Sequence, residues 1–304
     1  MQPLATGVSY FDLNFQGRER VIACAVLHGS GGVAIVDPGP TSTLPVLRRH
    51  LADSGMSMAD VRTILLTHIH LDHAGATGTL VRENPKLRVY VHEIGAPHMA
   101  DPAKLVASAT RLYGDAMDRL WGEIAPVPPA ALTTLNGGER LDVGGRTLDV
   151  AYTPGHASHH VSYLSADSGV AFVGDTAGVR VVPGGFVLPP TPPPDIDLEA
   201  WAKSLTTLEG WHAETLLITH YGAASPTPHH LTAMRDHLGL VGRLSKESLA
   251  VEGEDASKEA WFVDRVRREL RRTLSDADAA AYEISGRFDL NWRGLARYWR
   301  KKEN

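Results

Sequence analysis

Nine residues, Thr67-His68-Ile69-His70-Leu71-Asp72-His73-Ala74-Gly75, constrain this chain more than any other stretch. They follow the apolar run Val61 to Leu66, which reads as a short buried strand. His68 and His70 are two positions apart, so an extended backbone points both imidazoles the same way. Asp72 and His73 arrive where the small residues Ala74, Gly75 and Ala76 open the next element. Imidazole nitrogens together with a carboxylate oxygen suit zinc or a similar first-row ion. A histidine-rich surface loop would show the same letters, so the weight falls on whether the rest of the chain supplies further ligands.

Further candidates stand just past other expected strands. His156 follows Thr147 to Tyr152, Asp175 follows Val170 to Val173, and His220 follows Thr215 to Ile218. In a layered α/β domain, strand ends gather at one edge of a sheet, where sites are built. Residues scattered over the chain can therefore converge. The set is five histidines and two aspartates: His68, His70, Asp72, His73, His156, Asp175 and His220. That is too many for one tetrahedral zinc. It suits two ions about 3.5–4 Å apart, bridged by a water and a carboxylate.

Composition narrows the setting. A chain of 304 residues can hold one large α/β domain, with or without an appendage. No apolar run reaches the roughly 18 to 20 residues that span a bilayer, and Met1 to Phe15 has no secretory-signal pattern. Cys24 is the only cysteine, which allows no internal disulfide and no Cys-based metal site and fits a cytoplasmic location. Its neighbours, Val21 to Leu27, predict a buried strand, so it is expected as a core thiol. A net charge of −5 argues against a dedicated nucleic-acid partner. The cluster Arg265, Arg267, Arg268, Arg271 and Arg272 lies on a helical pattern and is expected to be a solvated face.

Along the chain, Val21 to Leu27 and Val33 to Val36 read as a hairpin turned at His28 to Gly32. The second strand ends in Asp37, whose carboxylate suits either a neighbouring loop's N–H groups or its own turn. Leu44, Leu47 and Leu51 mark a helix that stops at Gly55. His92 and His98 read as loop histidines, His98 within reach of a cleft. Leu105, Ala109, Leu112, Ala116 and Leu120 predict one helix running to Trp121. Its second stripe, Tyr113, Met117 and Trp121, is packing or, if it faces the metal loop, an apolar lid. Residues 183–195 are a stiff proline-rich loop. Beyond Pro226 the chain turns helical, with stripes Phe262, Val266, Leu270, Leu274 and Phe288, Trp292, Leu295, Trp299 that must dock on the main domain or on another subunit. A homodimer is a possible consequence. The division is then 1–225, catalytic, and 226–304, a helical extension packed on it.

The segments Thr67 to Gly75, Thr153-Pro154-Gly155-His156, Gly174-Asp175 and Thr219-His220 resemble, in order, the motifs of the metallo-β-lactamase superfamily. The resemblance covers roughly residues 8–225. It implies an α/β fold, a four-layer αβ/βα sandwich, here with the C-terminal helical extension. It implies that His68, His70 and His156 hold one metal, that Asp72, His73 and His220 hold the other, and that Asp175 bridges them. His160 matches a residue that in many members supports the ligands from behind, whereas His159 has no counterpart and is expected at the surface. Zinc is the expected ion, with manganese or iron as alternatives. Two such cations bring a shared water to hydroxide near neutral pH, and Asp72 would orient it and take its proton. The intact ligand set looks like the glyoxalase II and lactonase branch, so the expected reaction is hydrolysis of an ester, thioester or lactone of a small molecule. The rivals are a phosphodiesterase or ribonuclease of the same fold and a mononuclear iron persulfide dioxygenase. His98, Tyr113 and Tyr221 are the expected substrate contacts.

Overall fold

A computed structural model describes residues 1–303. A seven-stranded sheet is ordered β1 (Gln2–Ala5), β2 (Val8–Asp12), β3 (Ala23–Gly29), β4 (Gly32–Val36), β5 (Val61–Leu65), β6 (Arg88–His92), β7 (Leu132–Leu135). A six-stranded sheet holds β8 (Arg140–Val143), β9 (Arg146–Tyr152), β10 (Val161–Ser165), β11 (Val170–Gly174), β12 (Thr215–Ile218) and β13 (Gly222–Ala224), again in sequential order.

The central strands, such as β3, β4 and β11, read as near-continuous apolar runs because both faces are covered. In β3, Ala23, Ala25 and Leu27 face the opposite sheet, while Cys24 and Val26 face outward into a helix-covered core. In β11, Val170 and Phe172 face inward, and Ala171 and Val173 outward. This period of two splits the central strands between two cores. On the first sheet's outer side, α1 (Leu44–Asp53) contributes Leu44, Leu47 and Leu51; α2 (Leu71–Ala74) and α3 (Thr77–Glu83) add Ala74, Leu80 and Val81. The second sheet's outer side takes Trp201, Leu205 and Leu208 of α7 (Leu198–Gly210). The result is the four-layer αβ/βα sandwich.

Between β6 and β7 lie α4 (Ala96–Ala100), α5 (Ala103–Tyr113) and α6 (Met117–Trp121). The single helix expected up to Trp121 is thus two. Gly114, at φ +51, ends α5 in a conformation that favours glycine, and α6 starts after a short 3-10 turn. The chain closes with α8 (Thr227–Leu249), α9 (Asp255–Arg271), α10 (Asp276–Gly286) and α11 (Phe288–Glu303). Phe262, Val266, Leu270, Phe288, Trp292 and Leu295 are buried in the same core as β11, β12 and α7. Most of the apolar stripe surface that suggested a homodimer is therefore covered within the chain, with Leu274 and Trp299 partly buried. The arginine cluster of α9 is solvated and paired: Arg267 with Glu283, Arg268 with Asp264, Arg271 with Asp276 and Arg272 with Glu269. Among the described residues, no helix is long and apolar enough to cross a membrane.

Strand direction explains the convergence of the site. β4, β5, β6 and β7 run parallel, so Asp37 and Thr67-His68 leave the first sheet at one edge. In the second sheet β9 and β11 both run antiparallel to β10, and β12 runs parallel to β11. The exits to His156, Asp175 and His220 therefore share an edge too. The sheets are stitched together there: Ala23 N–H donates to the Thr219 carbonyl at 2.8 Å, Val161 N–H to the Thr67 carbonyl at 2.8 Å, and the Tyr163 hydroxyl to the Leu66 carbonyl at 2.7 Å.

Candidate metal centre

The seven sequence-chosen residues meet at this seam as two groups. One is His68, His70 and His156; the other is Asp72, His73 and His220, and within each group the donor atoms lie within 4.8 Å of one another. Asp175 stands between them. Its Oδ1 is 3.2 Å from His73 Nε2 and 3.5 Å from His220 Nε2, and its Oδ2 is 3.3 Å from His156 Nε2. Asp72 Oδ2 is 3.3 Å from His220 Nε2, and its side chain keeps 28% exposure.

Hydrogen bonds behind the imidazoles fix which nitrogen faces the centre. His156 Nδ1–H donates to the Pro190 carbonyl at 2.8 Å, and His220 Nδ1–H to the Val21 carbonyl at 2.6 Å. A carbonyl can only accept, so the proton sits on Nδ1 and the Nε2 lone pair points inward. His73 Nδ1 bonds Asp37 Oδ2 at 2.8 Å with the same result. For His68 the logic takes one more step. The Thr67 hydroxyl gives its proton to Asp37 Oδ2 at 2.7 Å, so it accepts from His68 Nδ1 at 3.1 Å. His68 Nε2 is then also a lone pair.

These lone pairs are aimed at one another. His70 Nδ1 lies 3.0 Å from His68 Nε2 and 2.9 Å from His156 Nε2, and a proton on His70 could serve only one of them. His73 Nε2 and Asp175 Oδ1 are buried without any hydrogen-bond partner. A cation in each group would accept all of these lone pairs together, so the donor set fits a pair of borderline metal ions.

Charge points the same way. Burial and the neighbouring imidazoles hold His68 well below the ordinary histidine range and push His70 down to about 4. Burial would also lower His73, but Asp175, Asp37 and Asp72 outweigh it and hold its proton well above that range. His220 is raised likewise: burial is outweighed by Asp175 and Asp72. Burial would raise Asp175 and Asp72, and the facing histidines hold both below the usual carboxylate range. One half of the centre thus rejects protons and the other half demands positive charge.

Asp37 accepts a bond from Thr67 N–H at 2.8 Å, so the loop role open to it in the sequence is the one it has. Its further bonds, to the Thr67 hydroxyl, His73 and the Thr219 hydroxyl, were not legible. His160 accepts from Asp175 N–H at 3.2 Å and so holds the bridging residue from behind. Gly174 makes room for this: at φ +45, a Cβ would sit 2.5 Å from Thr67 Oγ1 and 2.6 Å from His160 Nε2. His159 is a correction. It is buried rather than at the surface, its ring parallel to that of His68 at 6.1 Å and edge-on to His70 at 5.7 Å. The signal was present in the pair His159-His160, since an apolar strand starts at the next residue.

A cleft of about 430 Å³ opens over the centre, with Asp72, His70, His156, Asp175 and His220 in its floor. His98 and Tyr113 line it, as do Leu105, Leu112 and Trp121. The stripe from α5 to α6 therefore packs as a small cluster of its own and also walls the cleft. Tyr221 is a second correction: it is not among the cleft residues. Its ring packs edge-on against Tyr10 at 6.1 Å, and Arg20 lies over it at 5.8 Å. His92 is buried and stacked on Tyr152.

The family model of the metallo-β-lactamase superfamily matches residues 17–220. The chain belongs to the metallo-β-lactamase superfamily. A metallo-β-lactamase fold-containing protein of Sulfurisphaera tokodaii is 32% identical over 221 residues, 69% of this chain and 80% of that protein. A hydroxyacylglutathione hydrolase of Synechococcus is 32% identical over 143 residues, 47% of this chain; the match spans only 43% of that enzyme. Among solved structures, a metallo-β-lactamase family protein of Thermus thermophilus superposes with a TM-score of 0.75 over 99% of this chain and 95% of its own. At 22% identity, that last likeness is one of fold.

Proposed function

We propose that this superfamily member is a metal-dependent hydrolase that cleaves an ester, thioester or lactone carbonyl. The observation that carries the reading is Asp175, whose two oxygens face the two separate donor groups. His68, His70 and His156 would hold one divalent ion, Asp72, His73 and His220 the second, and Asp175 both. Such a pair supplies Lewis acidity and a water acidified toward neutrality.

The chain's own residues do the rest. The Nδ1 bonds to Pro190, Val21 and Asp37 lock three imidazoles in place, so little reorganisation accompanies each turnover. Asp72, a carboxylate in the cleft floor, orients the attacking water and accepts its proton. Leu105, Leu112 and Trp121 exclude solvent from the reacting carbonyl, and His98 and Tyr113 contact the substrate.

Carbonyl chemistry is favoured over phosphodiester chemistry because an apolar stripe, Leu105, Ala109, Leu112 and Trp121, forms part of the cleft wall. In the arginine cluster that would have supported a nucleic-acid track, four of the five side chains are in ion pairs and Arg265 lies over Trp261. The hydroxyacylglutathione hydrolase relatives, thioester hydrolases by name, support the same choice. An iron dioxygenase needs only part of the donor set, and here both groups are assembled. The test is a panel of thioesters, lactones, aryl esters and bis-p-nitrophenyl phosphate on zinc- and manganese-loaded protein. Turnover led by a carbonyl substrate is expected; turnover led by the phosphodiester, or oxygen uptake with a single iron, would overturn the reading.

A further inference from the structure

Helix α5 presents two adjacent stripes to the cleft. Leu105, Ala109 and Leu112 form the apolar one, and Lys104, Ser108 and Arg111 the polar one, at i, i+4 and i+7. Lys104 and Arg111 are exposed, and neither forms a salt bridge among the described residues. Seven residues of helix set them about 10 Å apart along the rim.

Of the other charged side chains of the cleft, Arg287 is paired, and Asp195 is the one carboxylate outside the metal centre. Arg287 is bound twice by Asp289, at 3.0 and 2.8 Å. Asp195, on the proline-rich wall, takes the Ser158 hydroxyl at 2.7 Å. Asp72 and Asp175 belong to the metal centre. The rim is therefore left with two uncommitted cations on a chain whose net charge is −5. Leu105, Leu112 and Trp121 line the same cleft.

We propose that the substrate is an amphiphilic anion. Its scissile carbonyl lies at the metal centre, its apolar segment lies along Leu105, Leu112 and Trp121, and a carboxylate or phosphate at its far end is held by Lys104 and Arg111. This rests on the carbonyl-hydrolase reading above and names the substrate class for it. A partly exposed charge pair contributes modestly and is weakened by salt. Two of them, acting on one substrate, give selectivity of about tenfold rather than an absolute requirement.

The test uses the zinc-loaded full chain and matched p-nitrophenyl esters of one acyl length, ending in methyl, carboxylate or phosphate. The expected result is a kcat/KM for the anionic esters about tenfold above the neutral one, carried by KM and shrinking in 0.5 M salt. In Lys104→Glu/Arg111→Glu the ratio of anionic to neutral kcat/KM collapses to one or below. The milder Lys104→Gln/Arg111→Gln gives an intermediate ratio, and thermal melting checks that each variant folds. Whichever anionic ester is preferred separates a carboxylate from a phosphate end. A binding arm keeps this inference distinct from the reaction itself. Alkyl thioethers with the same three ends, which cannot be hydrolysed, are titrated calorimetrically against wild type and the Glu variant. If no ester turns over but the anionic thioethers bind preferentially and lose that preference in the variant, the anion site stands and the hydrolase reading falls. Equal handling of neutral and anionic compounds by wild type, or a preference that survives the charge reversal, overturns the proposal.

Discussion

Asp37 lies outside both donor groups, yet it reaches into each, to His73 directly and to His68 through Thr67. It is buried, and one carboxylate receives Thr67 N–H, the Thr67 hydroxyl, His73 Nδ1 and the Thr219 hydroxyl. Through Thr67 it also sets the tautomer of His68. Asp37→Asn would turn an NH2 toward these donors, with no acceptor to satisfy it. The expected outcome is a 10–100-fold loss of affinity for the ion on the His73 side, read by zinc competition against a chelator; an unchanged affinity would contradict the relay. At this scale the sequence was legible where residue type alone announces chemistry. The seven histidines and aspartates needed only their place after strands. Asp37 gave half its role, because its partners come from two segments distant in sequence, Thr67–Gly75 and Thr219. His159 and Tyr221 were misread for a related reason. Both neighbour site residues in sequence, but the direction of a side chain is decided by packing, which a loop's letters do not record.

Among the elements, α11 reaches the metal centre without touching it. Asn291 Oδ1 accepts Thr191 N–H at 2.8 Å, and Thr191 follows Pro190, whose carbonyl holds His156. Asn291→Ala leaves the buried Thr191 N–H unpaired, a cost of about 2 kcal/mol. The variant should melt several degrees lower and bind zinc more weakly; an unchanged melting point would show that α11 does not brace the loop. Helix α8 carries a pH-sensitive link of the same kind. His230 Nε2–H donates to the Ala177 carbonyl at 2.8 Å, two residues past Asp175. Burial, only partly offset by that bond, lowers its pKa to about 4. Between that value and the unfolded histidine's, near 6.5, the unfolded chain takes a proton that the folded one refuses, so stability falls as pH falls. His230→Gln lacks this titration. Urea unfolding at pH 7.5 and 4.5 should show the wild-type advantage shrinking by up to ~3 kcal/mol; a constant gap would contradict the buried neutral imidazole. The helices themselves were readable from their apolar period. The break at Gly114 was not, since the stripe runs on in register through it and only a left-handed φ reveals the stop.

For the molecule as a whole, the decisive feature is parallel strand direction in each sheet beside the seam. It brings the exits of β5, β9, β11 and β12 to one place, where backbone bonds join the sheets. The order of the motifs along the chain anticipated this convergence, and family resemblance supplied the layering. The seating of the C-terminal helices was open, because an apolar stripe does not name its partner; they share a core with the second sheet. The central claim is that two ions share one carboxylate at the seam. Metal content per folded chain tests it most directly, by native mass spectrometry of zinc-loaded protein beside His220→Ala and Asp175→Asn. The account predicts two ions in the wild type, one in His220→Ala, and loss of the stable pair in Asp175→Asn. A wild type that takes up a single ion, or variants that keep both at full occupancy, would contradict it.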